Sequence, residues 1–161
     1  MSGSLPLFDA EPPPRVAPAT PTPEWLDLAR GLHERWQGRC RLGTSSWHFP
    51  GWQGWVWRDR PPAELLSRHG LGAYAQHPLL RTVSLDRAFY RLIEAREYAA
   101  LAAQVPEDFR FVVKAPALLS DAQRRDPSSG RPLADNPQFL DPALALQGCV
   151  RPAIDGLGPR L

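Results

Sequence analysis

The first periodic stretch of the chain repeats apolar residues at the three- and four-residue spacing of a helix face. These positions are Trp25, Leu28, Ala29, Leu32 and Trp36. Thr22 is suited to cap the first turn, Pro23 fits the first helical position, and Gly38 follows the last apolar position. The pattern therefore predicts an amphipathic helix that begins after Thr22 and stops near Gly38.

Three short runs rich in apolar and β-branched residues follow, and each has the length of a strand. They are residues 41–46, 79–85 and 109–114. Helical patterns alternate with these runs. One begins near Pro61 and is interrupted at Gly70, and a second covers the alanine-rich residues 94–105. A third opens at Asp141 and is kinked by Pro152.

This alternation of strands and helices predicts right-handed crossovers and a parallel sheet covered by helices. An open doubly wound sheet and a (β/α)8 barrel both satisfy it. No glycine-rich phosphate-binding motif follows any of the strand runs, which weakens a nucleotide-binding version of the fold. The sequence thus predicts an α/β protein.

The first 22 residues contain six prolines among small residues, a composition that cannot form a core. We predict a disordered leader over residues 1–22 and a folded region over residues 23–161. The N-terminus lacks the basic and apolar segments of a signal peptide. No stretch approaches the roughly 18 apolar residues of a membrane span. We therefore expect a cytoplasmic protein.

The charge of the chain limits the kinds of partner that we expect, and its cysteine content indicates the state of its thiols. The net charge is +2, and no concentrated basic run exists, which argues against nucleic acid and a membrane surface as partners. The 19 positive residues include a single lysine, Lys114. Cys40 and Cys149 are too few for a disulfide framework and lack metal-ligand spacing, which favours reduced thiols.

Residues 47–57 hold four of the six tryptophans of the chain. They are Trp47, Trp52, Trp55 and Trp57. Side chains of this size either stack on a ligand in a pocket or fill and seal a core. The sequence leaves both interpretations open, and we refer to residues 47–57 as the tryptophan loop.

Three segments carry a more specific pattern. They are LGTSSW at residues 42–47 with a tryptophan at 52, TVSLDRAFYR at residues 82–91, and PEDFRFVVKAP at residues 106–116. In this order they resemble the YecE-like family, or domain of unknown function 72. The family patterns are GTSGW with a later tryptophan, VEINSTFYR, and P-x-x-F-x-F-x-V-K-x-P. The resemblance implies a TIM barrel and no particular reaction.

The chain departs from the family pattern at polar positions. Ser84 stands where the family has glutamate, and Asp86 where it has asparagine. Residues 119–121 stand where a threonine–histidine pair is common. A full barrel takes about 250 residues. We therefore expect residues 23–161 to be the N-terminal part of a truncated TIM (β/α)8-type barrel, with about three βα units after a leading helix.

Active sites of TIM barrels lie at the C-terminal ends of the strands. At the corresponding positions here, the weak candidates for catalysis are Lys114, Asp86 and His48, and those for ligand binding are Trp47, Tyr90 and Lys114. Strand alternation places Thr82, Ser84 and Asp86 on one polar face, opposite Val83 and Leu85. Lys114 ends the next strand, so we expect Asp86 and Lys114 to lie within reach of each other.

Each candidate also has a simpler interpretation. Lys114 could bind an anion or act as an amine with a lowered pKa, or Asp86 and Lys114 could merely neutralise each other. His48 could be an acid/base group or a surface residue beside aromatics. His48, Asp86 and Asp121 could converge on a metal, but no compact ligand motif is present, and we expect no metal or cofactor.

Two kinds of function remain. The full-length form could bind or convert a small polar or anionic ligand at the C-terminal ends of the strands. Alternatively, the chain could be a non-catalytic interaction module, self-associating through an exposed sheet edge. A non-functional product of a truncated gene is the third hypothesis.

Overall fold

The structure is a computed structural model that describes residues 15–161. Most of the predicted leader, residues 1–14, lies outside the described residues. Residues 15–22 lie against the tryptophan loop: the amide of Ala19 donates to the carbonyl of Val56 (2.9 Å), and that of Arg58 donates to Ala17 (3.0 Å). Val16 is buried beside them. Part of the predicted leader, residues 17–19, thus contacts the tryptophan loop and Arg58.

Three parallel strands form the central sheet. They are β1 (Leu42–Thr44), β2 (Leu80–Leu85) and β3 (Arg110–Val113), in the spatial order β1-β2-β3. This confirms the α/β class and the three strands near their predicted places. Within residues 15–161 the strands do not close into a barrel.

Eight helical segments surround or follow the strands in the described chain. They are α1 (Pro23–Trp36), α2 (Ala63–His69), α3 (Leu71–Tyr74), α4 (Arg87–Tyr90), α5 (Ala95–Ala102), α6 (Ala117–Ser120), α7 (Pro142–Leu144) and α8 (Arg151–Leu157). Short 3-10 turns lie at Pro50–Trp52 and Gly158–Arg160. None of these helices is long and apolar enough to cross a bilayer.

The side chains of β2 alternate as predicted. Val83 and Leu85 are fully buried, and Thr82 and Ser84 on the opposite face are partly exposed. Phe111 of β3 continues the buried face. The core on that face includes Leu66, Leu71, Tyr74, Tyr98, Phe109 and Leu157. The sheet therefore has one apolar face under the helices and one polar face.

The helix α1 has the predicted start but not the predicted burial. Its first turn is capped by the hydroxyl oxygen of Thr22, which accepts from the amide of Trp25. No residue of α1 is buried, and Leu28 and Trp36 are 53% and 42% exposed. Trp25 alone is anchored among aromatics, because its ring stacks on Trp55 at 5.5 Å. The helical periodicity predicted α1 correctly. The apolar face of α1, however, is not buried against the sheet.

A hairpin occupies the stretch predicted as a polar loop. Its strands are β4 (Gln123–Arg125) and β5 (Pro132–Asp135), paired antiparallel. The turn is organised by Asp126, whose carboxylate accepts from the amides of Ser128 (3.0 Å) and Ser129 (2.8 Å). The hydrogen bond from the Ser128 hydroxyl, together with these two and the one from the Ser129 hydroxyl, lowers the pKa of Asp126 to about 2. All hairpin strand residues are exposed, so no apolar alternation marked them in the sequence.

The last helical region is irregular near Pro152, where we predicted a kink. A π-helical turn, Ala145–Val150, separates α7 from α8, and Pro152 lies in the first turn of α8. Proline lacks the N–H that a regular helix needs, and the wider turn absorbs this loss. Farther along α8, Gly156 faces the backbone of α5 around Ala95 and Tyr98.

The close approach of α8 to α5 gives a stability prediction. An added Cβ at Gly156 would collide with the carbonyl oxygen of Ala95 and the Cβ of Tyr98. We expect Gly156→Ala to lower the free energy of unfolding by about 1–3 kcal/mol, measured by urea denaturation. The control is Gly31→Ala in α1, where a Cβ meets nothing within 4 Å. That change should raise stability by up to about 1 kcal/mol. An unaltered Gly156→Ala midpoint would contradict the packing.

Candidate functional site

A small cleft lies where β1 and β2 end. Its volume is about 200 Å³. The loop after β1, the end of β2 and the start of α4 supply most of its walls: Ser46, Trp47, His48, Ser84, Asp86 and Arg87. We call it the strand-end cleft. It joins three of the residues selected from the sequence, namely Trp47, His48 and Asp86.

Trp47 forms a fixed wall of the strand-end cleft. Its side chain is only 3% exposed, and its indole Nε1 donates to the carbonyl of Leu66 in α2 (3.1 Å). A buried indole with its one donor satisfied has little freedom to move. The ring of His48 follows at 6.2 Å between centroids. Trp47 therefore offers a rigid aromatic surface to whatever lies beside it.

Arg87, the first residue of α4, lies on that surface. The guanidinium carbon is 4.7 Å from the centroid of the Trp47 ring, a cation–π distance. Arg87 is half-buried, and burial is the main cause that lowers its pKa. With the residues described in the structure its side chain makes no hydrogen bond and no ion pair. The positive charge of Arg87 therefore faces the cleft without an ion-pair partner among residues 15–161, although Glu97 lies near enough to raise its pKa.

The charge of Arg87 influences His48. Burial lowers the pKa of His48, and the positive charge of Arg87 lowers it further. Both effects favour the neutral imidazole over the imidazolium. A neutral ring can both donate and accept a hydrogen bond in the cleft.

Asp86 and Lys114 do not form the predicted pair. The carboxylate of Asp86 accepts from the hydroxyl of Ser84 (2.7 Å), and no ion pair joins it to Lys114. The ammonium Nζ of Lys114 instead lies 4.5 Å from the ring centroid of Phe89. Lys114 follows the last residue of β3, so strand alternation no longer fixes the direction of its side chain. We expected these two residues to lie within reach of each other, and the structure shows no ion pair between them.

Tyr90 belongs to another part of the surface. Its side chain is 83% exposed and lines a cavity of about 410 Å³ between α4, α6 and the hairpin. Lys114 contributes to the lining of neither this cavity nor the strand-end cleft. The three ligand-binding candidates therefore do not line a common cavity: Trp47 lines the strand-end cleft, Tyr90 lines the larger cavity, and Lys114 lines neither.

The other tryptophans of the loop divide between core and surface. Trp57 is fully buried, and its Nε1 donates to the carbonyl of Phe49 (2.9 Å). Trp52 packs partly buried against the core, whereas Trp55 is 64% exposed and stacks on Trp25. Packing thus accounts for most of the tryptophan loop, and Trp47 alone presents a face to the cleft.

The possible metal set of His48, Asp86 and Asp121 is not assembled. Asp121 lines the larger cavity and is bound by Arg125 (2.6 Å), away from the other two residues. Within residues 15–161, no group of three histidine, cysteine, aspartate or glutamate side chains is placed to hold a metal ion. The site residue without an assigned role in the sequence analysis is Arg87. Its position directly after Asp86, at the end of β2, was the available signal.

The fold and the cleft define an α/β protein whose parallel strands end at a small polar site. A model of the family described as "Protein of unknown function DUF72" matches residues 41–160. The match covers most of the chain, and the chain belongs to this family, as its three motif segments indicate. No curated protein and no solved structure shows significant similarity to it.

The coupling between Arg87 and His48 gives a testable pH dependence. A positive neighbour disfavours the charged imidazolium, so Arg87→Gln should raise the pKa of His48. An NMR titration of the histidine ring protons measures this shift. His77 serves as the internal control, because burial alone lowers its pKa. A His48 titration that does not move, or an equal movement of His77, would contradict the geometry of the cleft.

Proposed function

We propose that the strand-end cleft binds a small anionic ligand through the guanidinium of Arg87. The observation that carries this proposal is the unpaired charge of Arg87, held half-buried on the ring of Trp47. Arginine pairs with carboxylates and phosphates through two parallel hydrogen bonds. Stacking on a fixed indole orders the guanidinium before a ligand arrives, which reduces the entropy lost on binding.

The remaining groups support a ligand with a second polar end. The hydroxyl groups of Ser45 and Ser46 and the imidazole of His48 can donate hydrogen bonds to an anion. Asp86 repels an anionic group but accepts from a hydroxyl or amine of the same ligand. A cleft of about 200 Å³ lies below the usual range for drug-sized molecules, so the ligand is a small hydroxylated or aminated acid.

Binding is better supported than conversion. His48 and Asp86 have the chemistry of an acid/base pair, and they lie at the strand ends where barrel enzymes place such groups. Among the residues that the structure describes, no activated nucleophile lines the cleft with them. Lys114 is the weakest of the candidates, because its ammonium contacts Phe89 and lies outside the cleft lining.

We also propose that β1, β2 and β3 are three consecutive strands of a barrel-type sheet. Their parallel pairing in chain order, with a polar face opposite the helices, supports this arrangement. Free thiols at Cys40 and Cys149 support a cytoplasmic location.

A second candidate function is association through the sheet. Strands β1 and β3 each lack one strand neighbour in the described chain, and Val112 on β3 is 57% exposed. An open parallel edge favours pairing with another chain. Sedimentation over a range of protein concentrations distinguishes the candidates, because a monomer throughout would remove this one and leave ligand binding intact.

The proposed ligand site is tested by calorimetry with phosphate, glycolate and phosphoglycolate, and with glycerol as the uncharged comparison. We expect saturable binding of the anions, and Arg87→Gln should weaken it about tenfold or more, the effect of losing a charge-assisted hydrogen bond. The matched control is Arg39→Gln, which removes the same charge before β1, at the opposite end of the sheet. Absence of anion binding, or an equal loss in both variants, would overturn the proposal.

A further inference from the structure

The larger cavity at Tyr90, which we call the hairpin cavity, has a different composition from the strand-end cleft. Its volume of about 410 Å³ falls in the range of small-molecule sites. One wall is largely apolar and consists of Phe89, Leu92, Pro116, Ala117 and Leu118. Three arginines, Arg91, Arg124 and Arg125, also line the cavity. The cavity thus combines an apolar wall with a positive rim.

The rim keeps an excess of positive charge. Arg91 binds Glu97 through two hydrogen bonds (2.9 and 2.6 Å), and Arg125 binds Asp121 (2.6 Å). Arg124 makes no side-chain hydrogen bond or ion pair with any residue from 15 to 161. Among the described residues of the lining, Asp121 is the one carboxylate, and Arg125 already binds it. Arg124 is therefore the group left to receive an anion.

The hairpin is fastened to α6, so the cavity exists before a ligand enters. Asn136, which follows β5, is buried, and its Nδ2 donates to the carbonyls of Leu118 and Asp121 (2.8 Å each). Its Oδ1 accepts from the amide of Gln138 (3.1 Å). The side chain of Asn136 thus satisfies backbone groups on both sides. This bracing fixes the hairpin, and with it Arg124, beside α6.

We infer that the hairpin cavity is a second binding site, for an amphipathic anion with an apolar, ring-sized body and a carboxylate or phosphate head. The body packs between Phe89 and Leu118, and the head meets Arg124. Burial of the body supplies the hydrophobic part of the affinity, and the charge supplies orientation. The site is separate from the strand-end cleft, because Arg87 does not line it.

Four small molecules test the contributions of the apolar body and of the anionic head separately. Phenyl phosphate and phenylacetate have both body and head, benzyl alcohol lacks the charge, and inorganic phosphate lacks the apolar body. In calorimetric titrations of the whole chain carrying Arg87→Gln, which removes the phosphate binding proposed for the strand-end cleft, we expect phenyl phosphate, phenylacetate or both to bind about tenfold or more tightly than benzyl alcohol and inorganic phosphate. Which head binds more tightly identifies the ligand as a phosphate ester or a carboxylate. Equal binding of an aromatic anion and inorganic phosphate would overturn the inference, and so would equal binding of benzyl alcohol.

Matched variants locate the binding. Arg124→Gln should weaken the aromatic anion about tenfold or more, and Arg131→Gln, in the exposed turn of the same hairpin, should leave it unchanged. Leu118→Gln should weaken the aromatic anions without affecting inorganic phosphate. Arg87→Gln should have no effect here, so failure of the strand-end cleft and of the hairpin cavity can be told apart. Binding that survives Arg124→Gln, or falls equally in Arg131→Gln, would overturn the assignment.

Discussion

The hydroxyl group of Tyr74 joins the first two strands of the sheet. Tyr74 is fully buried at the end of α3, and its hydroxyl donates to the carbonyl of Thr82 in β2 (3.0 Å). The same oxygen accepts from the amide of Thr44 in β1 (3.1 Å) and lies 2.8 Å from the Thr44 hydroxyl. A buried phenol without partners would be costly, so its three polar contacts and the strand positions depend on each other. Burial also raises the pKa of Tyr74, which keeps the phenol protonated.

The pairing held by Tyr74 decides where the strand-end cleft lies. The register of β1 on β2 shifts between Leu42 and Gly43, and a Cβ at Gly43 would collide with the carbonyl of Thr82. Only glycine permits this close approach of the strands. β1 then ends at Thr44, and the chain continues to Trp47, whose indole is fixed on α2. The surface on which Arg87 lies therefore follows from the pairing of the two strands.

Local patterns in the sequence were sufficient for the three parallel strands, for the main helices and for one face of the sheet, but not for the hairpin. The cap at Thr22 and the alternation of Val83 and Leu85 depend on neighbours a few residues away, and both are confirmed. Contacts between distant segments were harder to predict. Nothing near Lys114 in the sequence indicates that the ring of Phe89 attracts it, and nothing near Arg87 indicates the ring of Trp47. The sequence thus pointed to the strand ends as the place of the candidate site. It did not assign a role to Arg87, the main positive charge of the cleft.

The central claim is that the pairing of β1 with β2, held by Tyr74, positions the wall of the cleft. Hydrogen exchange in Tyr74→Phe tests it directly, with the Tyr98 amide of α5 as the reference for global opening. The account predicts that the Thr44 amide and the Trp47 indole N–H both exchange faster relative to Tyr98. Faster exchange at Thr44 with an unchanged Trp47 indole would contradict it, because the cleft wall would then be independent of the strand pairing.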